Sequence, residues 1–187
     1  MKCIVNTTEN WGIGKGNQLL VHIPEDMKWF RIQTTDKIVI MGRKTLESFP
    51  GKKPLKNRVN IVITKNKDYV PEKNDNSIVI IVKSPGEAVE AALEFIKIKN
   101  GIEKNDEEKM SDSDIFVIGG ASIYEQLMPY VDEAYVTRVY TTVPADTFFP
   151  NLDEDPMWEI EGQTEEKEHE GIRYNFVIYK KITAQKD

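Results

Sequence analysis

Short runs of Val and Ile, alternating with helix signals, constrain this chain more than any other feature. They recur at Lys2 to Asn6, Lys37 to Met41, Val59 to Ile63, Ile78 to Val82 and Ile115 to Ile118. Each is too short for a helix and rich in β-branched residues, so each predicts a buried strand. Between them lie helix signatures. The clearest is Ser84-Pro85-Gly86-Glu87, a capping box with Pro at the first helical position, which opens a helix over Ala88 to Lys99. Strand and helix alternate, which predicts a largely parallel sheet. Beyond a helix at Ser122 to Leu127 the pattern changes. Glu133 to Thr141 and Ile172 to Lys180 both read as strands with no clear helix between them, so an antiparallel edge follows.

The 187 residues, 40% apolar and 30% charged, suit one domain, residues 1–187, with room for a full core. A net charge of -6 and a pI near 5.1 argue against a nucleic-acid surface, while a small basic pocket remains compatible with an anionic cofactor. Cys3 is the single cysteine, in an apolar strand, which points to a packed thiol and excludes an intrachain disulfide. No stretch reaches the apolar length of a membrane helix, and no secretion signal opens the chain. These features predict a reduced, cytoplasmic protein whose partners are small molecules. The segment from Asn100 to Asp114 is mostly charged and polar and predicts a solvated surface loop. Glu165 to Glu170 places His169 among acids and predicts a solvated turn, with no metal assigned.

Asp26 stands out chemically. In Ile23-Pro24-Glu25-Asp26-Met27-Lys28-Trp29-Phe30-Arg31, Pro24 suits the first helical position, and on a helical wheel Trp29 and Phe30 then flank Asp26, with Met27 just beyond. Glu25, Lys28 and Arg31 fall on the other side. A carboxylate among apolar groups loses hydration, which raises its pKa and suits it to holding or moving a proton near neutrality. An Asp in the first turn of a helix also satisfies free amides and the helix dipole, which is the commoner reason for such a residue in an arbitrary chain.

Strand ends carry groups suited to phosphates. Ile40-Met41-Gly42-Arg43-Lys44-Thr45 stops an apolar strand at a glycine and then offers two cations and a hydroxyl at a helix start. Phe116-Val117-Ile118-Gly119-Gly120-Ala121-Ser122 places paired glycines, which allow close backbone approach, before a helix. Thr64-Lys65 follows a third strand. Gly12, Gly14 and Gly16 lack the G-x-G-x-x-G opening of a dinucleotide-binding helix, and no P-loop occurs. The Gly12 to Gly16 stretch predicts a mobile loop, a candidate lid before the Asp26 helix.

Taken in order, Trp11-Gly12-Ile13-Gly14, the run Ile23 to Phe30, Val39-Ile40-Met41-Gly42-Arg43-Lys44-Thr45-Leu46-Glu47-Ser48, Val117-Ile118-Gly119-Gly120 and Asp146-Thr147-Phe148-Phe149-Pro150 closely resemble dihydrofolate reductase over nearly the whole chain. The resemblance implies an α/β fold of three layers, with a mixed, mostly parallel eight-stranded sheet and an antiparallel C-terminal edge. It implies NADPH as hydride donor, 7,8-dihydrofolate as acceptor and antifolate-type inhibitors as further ligands; a monomer is the default expectation. Asp26 would be the ionisable group of the pterin pocket, supported by the hydroxyl of Thr137. Ile4, Val5, Met27, Phe30, Phe49, Leu55, Ile118 and Tyr124 would line that pocket, and Arg58 would grip the glutamate tail of the substrate. Asn6, Ile13, Gly14, Leu19, Gly42, Arg43, Lys44, Thr45, Thr64, Lys65, Gly119, Gly120, Ala121, Ser122, Ile123 and Tyr124 would contact the cofactor. The Gly119-Gly120 peptide would be cis. Without the resemblance the apolar residues are ordinary core, Thr137 an ordinary strand residue and Arg58 a solvated strand end.

The chain departs from the family pattern in places. Leu20-Val21 stands where Pro-Trp is usual, Asn6 replaces a small apolar residue, and Ser122 stands where an arginine is frequent. Two other functions share this fold: reduction of a pyrimidine intermediate of riboflavin synthesis, and nucleotide binding without turnover. The set Asp26, Thr137 and Arg58 favours folate chemistry over both.

Overall fold

The structure, a computed structural model, describes residues 1–103, 105, 106 and 109–182. The Val and Ile runs form a parallel sheet core: β1 (Lys2–Thr8), β4 (Ile38–Gly42), β5 (Arg58–Ile63), β6 (Ser77–Val82), β7 (Ile115–Gly119) and β8 (Glu133–Val139). With β10 (Trp158–Gln163) and β12 (Ile172–Lys181) they run in the order β10-β12-β8-β1-β7-β4-β5-β6, and the short β11 (Lys167–His169) pairs β12 off this path. Every neighbour pair from β8 to β6 is parallel, whereas β12 is antiparallel to both β8 and β10. Among the described residues no crossover helix lies between β8 and β12, as a parallel return would need, and the tight turn between β11 and β12 reverses the chain at this edge.

Helices α1 (Pro24–Thr34) and α2 (Arg43–Ser48) cover one face of the sheet, and α3 (Pro85–Ile102) and α4 (Ala121–Leu127) the other. Alternate strand residues feed the two cores. Cys3, Val5, Ile40, Ile61, Val117 and Val136 pack with Ala88, Ala92, Ile96 and Leu127. Ile4, Val39, Met41, Val62, Phe116, Ile118 and Tyr135 pack with Trp29, Phe30 and Leu46. Burying each such Val, Ile or Phe contributes about 1.5–3 kcal/mol, which is why strands loaded on both sides occupy the centre.

The structure corrects three loop expectations. Gly12–Lys15 is a strand, β2, paired antiparallel with β3 (Gln18–Leu19) and β9 (Thr147–Phe148), so the stretch is an ordered part of a small second sheet. Gly16 and Asn17 both take positive φ, 57° and 65°, which is the geometry of a two-residue hairpin turn matched to strand twist. Glu170 and Gly171 repeat the device at 48° and 79°, so the acidic stretch expected to be a turn contributes β11, with His169 opposite Ile172. In the segment 100–114, α3 continues to Ile102, and Ser111 with Asp114 forms a reciprocal capping box on a short turn at Asp112–Asp114. Asn100 exchanges two bonds of 2.8 Å with the backbone of Met110, closing the base of this segment, whose residues 104, 107 and 108 lie outside the described ones.

The cap of α3 also differs in detail. Ser84 Oγ accepts the Glu87 amide at 3.2 Å, but the Glu87 carboxylate takes the amide of Lys83, one residue before the cap.

Candidate active site

Asp26 lies in the first turn of α1 and is only 7% exposed. Its Oδ1 accepts the Thr137 hydroxyl at 2.5 Å and its Oδ2 accepts the Asn6 side-chain amide at 3.0 Å. Burial pushes its carboxyl above the ordinary range, and the Asn6 bond, the Thr137 bond and the charge of His22 pull the other way. The flanking aromatics predicted from the wheel are partly buried: Trp29 packs on Phe176 and Tyr135 with ring centroids 4.4 and 5.8 Å apart, and Phe30 lies in the cluster holding Ile4, Ile118, Phe49 and Leu55. Met27 is 38% exposed, on the rim. Val5, Tyr124, Ile13 and Ile123 pack in the other core, so the side chain of Val5 points away from Asp26. The buried Tyr124 hydroxyl crosses to donate to the Ile4 carbonyl at 2.7 Å, and burial pushes its pKa well above the ordinary tyrosine value.

Arg58 opens β5 at the far end of α1. Its Nε donates to Thr34 Oγ1 at 2.9 Å, and its Nη groups reach the Lys56 carbonyl at 2.6 Å and Thr35 Oγ1 at 3.3 Å. Burial and the nearby charge of Arg31 lower its pKa, and among the described residues no carboxylate forms an ion pair with it. The guanidinium is thus fixed by neutral acceptors. Thr34, its direct partner, stands eight residues after Asp26 on α1, a separation of about 12 Å at 1.5 Å per residue. Buried Asn60 braces this end, taking the Leu55 amide at 2.8 Å and returning a bond of 2.9 Å to the Leu55 carbonyl.

The groups suited to phosphates gather at the opposite, carboxyl edge of the parallel strands. Gly42 ends β4 and caps α2, Thr64 and Lys65 follow β5, and Gly119 ends β7 before Gly120 caps α4. Neither helix has a side-chain cap at its start. Gly119 has a φ of +124°, open to glycine, and the Gly119-Gly120 peptide is cis. Lys44 and Lys65 are exposed and, among the described residues, in no ion pair. Arg43 faces Glu47 at 2.8 Å. Ala121 is half-buried and Ser122 exposed on the first turn of α4. The β2–β3 hairpin bends over this edge: Asn17 donates to the Lys44 carbonyl at 3.0 Å, Gly16 donates to Asp146 at 2.8 Å, and Leu19 is 57% exposed.

A sequence model of dihydrofolate reductase matches residues 1–181. The chain belongs to the dihydrofolate reductase family. It is 37% identical to the dihydrofolate reductase of Haemophilus influenzae over 172 residues, covering 92% of this chain and 91% of that one. It is 32% identical to the dihydrofolate reductase of Heliothis virescens, covering 97% of each. Among solved structures, dihydrofolate reductase from Enterococcus faecalis, complexed with NADP(H) and RAB-propyl, superposes with a TM-score of 0.71 at 28% identity, over 96% of this chain and 95% of that one. The dihydrofolate reductase fold expected from the sequence is therefore the observed one, with its antiparallel edge. Sequence reasoning missed the Asn6 bond to Asp26, the influence of the His22 charge on it and the grip of Asp146 on the hairpin. The one available signal was Asn6 itself, a polar residue interrupting an apolar strand, whose direction only pairing with β8 reveals.

Proposed function

We propose that this protein reduces 7,8-dihydrofolate to 5,6,7,8-tetrahydrofolate with NADPH, with hydride reaching C6 and a proton N5. The observation that carries this reading is the pair Asp26 and Arg58 at the two ends of α1, one a buried carboxylate and the other a fixed guanidinium without a carboxylate partner among the described residues. Their spacing suits a ligand with a hydrogen-bonding heterocycle at one end and a carboxylate at the other. Asp26 accepts the paired N–H groups of the pterin and polarises the ring, so that N5 takes its proton through water. The Arg58 guanidinium binds the tail carboxylate with paired hydrogen bonds. Phe30, Phe49, Leu55, Ile118 and Met27 supply apolar walls, and the backbone at Ile4 and Val5 borders the ring.

When bound, NADPH supplies the hydride. The residues at the carboxyl edge fit its phosphates: Lys44 and Lys65 offer uncommitted charge, Thr45, Thr64 and Ser122 offer hydroxyls, and the uncapped starts of α2 and α4 offer backbone amides. A phosphate at Arg43 competes with Glu47. The Gly119-Gly120 backbone, with Gly42, Ala121, Ile123 and Tyr124, admits close approach, and Asn6, Ile13, Gly14 and Leu19 border the nicotinamide. The protein acts as a single-domain monomer in the cytoplasm, feeds one-carbon metabolism and takes antifolates in the same cleft.

Loss of NADPH absorbance on adding dihydrofolate to the purified protein tests this reading, with NADH and the riboflavin-pathway pyrimidine in parallel. Folate-specific oxidation is expected, collapsing in Asp26→Asn and most severely at high pH, where solvent cannot supply the proton. Oxidation with the pyrimidine alone, or tight NADPH binding without turnover, overturns it.

A further inference from the structure

Asn6 and Thr137 are direct register partners on the neighbouring parallel strands β1 and β8. Side chains at such a pair rise from the same face of the sheet, side by side. Here they rise beneath α1 and take one oxygen each of the same carboxylate, Thr137 on Oδ1 and Asn6 on Oδ2. One donor would leave the carboxylate free to turn, since its terminal torsion is broad. Two donors on opposite oxygens fix its plane. An ionised carboxylate has about four lone-pair positions, so each oxygen keeps a further position for a ligand.

We propose that Asn6 is a positioning residue for the reduction: acting through Asp26, its amide locks the carboxylate plane so that both remaining lone pairs meet the paired N–H groups of the pterin. This role rests on the dihydrofolate reading above. The donor is an uncharged amide, so its hold on the carboxylate changes with pH only through the protonation of Asp26 itself. Among the groups opposing the effect of burial on Asp26, Asn6 comes first, ahead of Thr137 and His22. The other titratable groups around the carboxylate are few. Tyr174 of β12 faces both Glu25, on the same helix, and Asp26. His22 precedes the helix and is exposed, and the buried Tyr124 approaches from α4. From β1 and β8 the carboxylate meets only the uncharged Asn6 and Thr137. Val21, where the family usually has Trp, is half-buried against Ile23, Val139 and Tyr174 and brings no donor, leaving Asn6 as the second side chain bonded to this acid.

The test compares the wild type with Asn6→Leu, which keeps the shape without the donor, Asn6→Asp, which sets a second carboxylate against Oδ2, and Asn6→Ser, which restores a smaller donor. Carbon NMR of labelled Asp carboxyls, assigned with Asp26→Asn, follows the Asp26 titration, and single-turnover hydride transfer is measured across pH. In Asn6→Leu the Asp26 midpoint and the pH limb of hydride transfer should both move upward together, with kcat/KM for dihydrofolate falling about tenfold. Asn6→Asp should move the midpoint further, and Asn6→Ser should recover part of the loss. A lowered melting temperature with an unmoved midpoint makes Asn6 merely structural and overturns the proposal, as does a moved midpoint with unchanged dihydrofolate kinetics. If Asn6→Leu does not fold, the Asn6→Asp and Asn6→Ser midpoints decide. A wild type that never oxidises NADPH with dihydrofolate defeats the functional reading itself, while the NMR midpoints still report the contact.

Discussion

Asp26 combines burial with two hydrogen bonds, and the balance has a consequence for stability. Its folded pKa is raised above the ordinary 3.8, so the folded state binds the proton more tightly than the unfolded chain. Stability from this group is therefore present in acid and falls as pH rises from the unfolded carboxyl range through the raised native value. Asp26→Asn abolishes that titration and leaves an amide whose oxygen can still accept from Thr137 and whose NH2 can donate to Asn6 once the Asn6 amide turns its oxygen inward. The variant should melt at or above the wild type near neutral pH, with the difference closing in acid, while losing turnover. Thermal unfolding across a series of buffers measures this. A neutral-pH melting point below the wild type would mean that the hydrogen bonds to the charged form outweigh its burial. At this scale Asp26 and Pro24 were legible in the sequence, because a polar residue on an apolar helical face is a local pattern. The partners of Asp26 were not, since Asn6 and Thr137 lie on strands far apart in the chain.

Among the elements, α3 shows how a local signal survives into the fold. Ser84 accepts the Glu87 amide, as the motif predicts, yet the Glu87 carboxylate turns to Lys83. Ser84→Ala removes one acceptor from the helix start at a cost of about 1 kcal/mol, which lowers the melting temperature by about 2–4 °C in a chain of this size. Calorimetry of the variant checks it, and NADPH oxidation should be unchanged because α3 packs against the sheet away from Asp26. A drop several times larger would mean that the cap also holds the β6–α3 connection. The hairpins tell the opposite story. Gly16-Asn17 and Glu170-Gly171 adopt paired positive φ, but the strands they join are only two to four residues long on the shorter sides and carry charged or glycine residues, so no alternation announced them. Pairing with β9 and β12 makes them strands.

Across the whole molecule, Cys3 reports on the sheet. It is fully buried on β1, between β7 and β8, and burial pushes its thiol far above the ordinary range. The thiol meets reagent only when the central strands part, so alkylation should be slow in the native protein and follow global unfolding as denaturant is added. Rapid labelling under native conditions would show that β1 opens locally. The same parallel arrangement sets the groups proposed to hold the cofactor along one edge and Arg58 along the other, a division that follows from the strand direction shared by β4, β5 and β7.

The sequence by itself determined the alternation of buried strands and helices, the parallel centre with its antiparallel edge, and the family, because these depend on short-range periodicity and on motifs kept in order. Only the tertiary structure decided which residues share Asp26, which neutral groups hold Arg58, and that the glycine stretch after Trp11 pairs as a strand. Those outcomes depend on register between segments distant in the chain, where a shift of one residue turns every side chain to the opposite face.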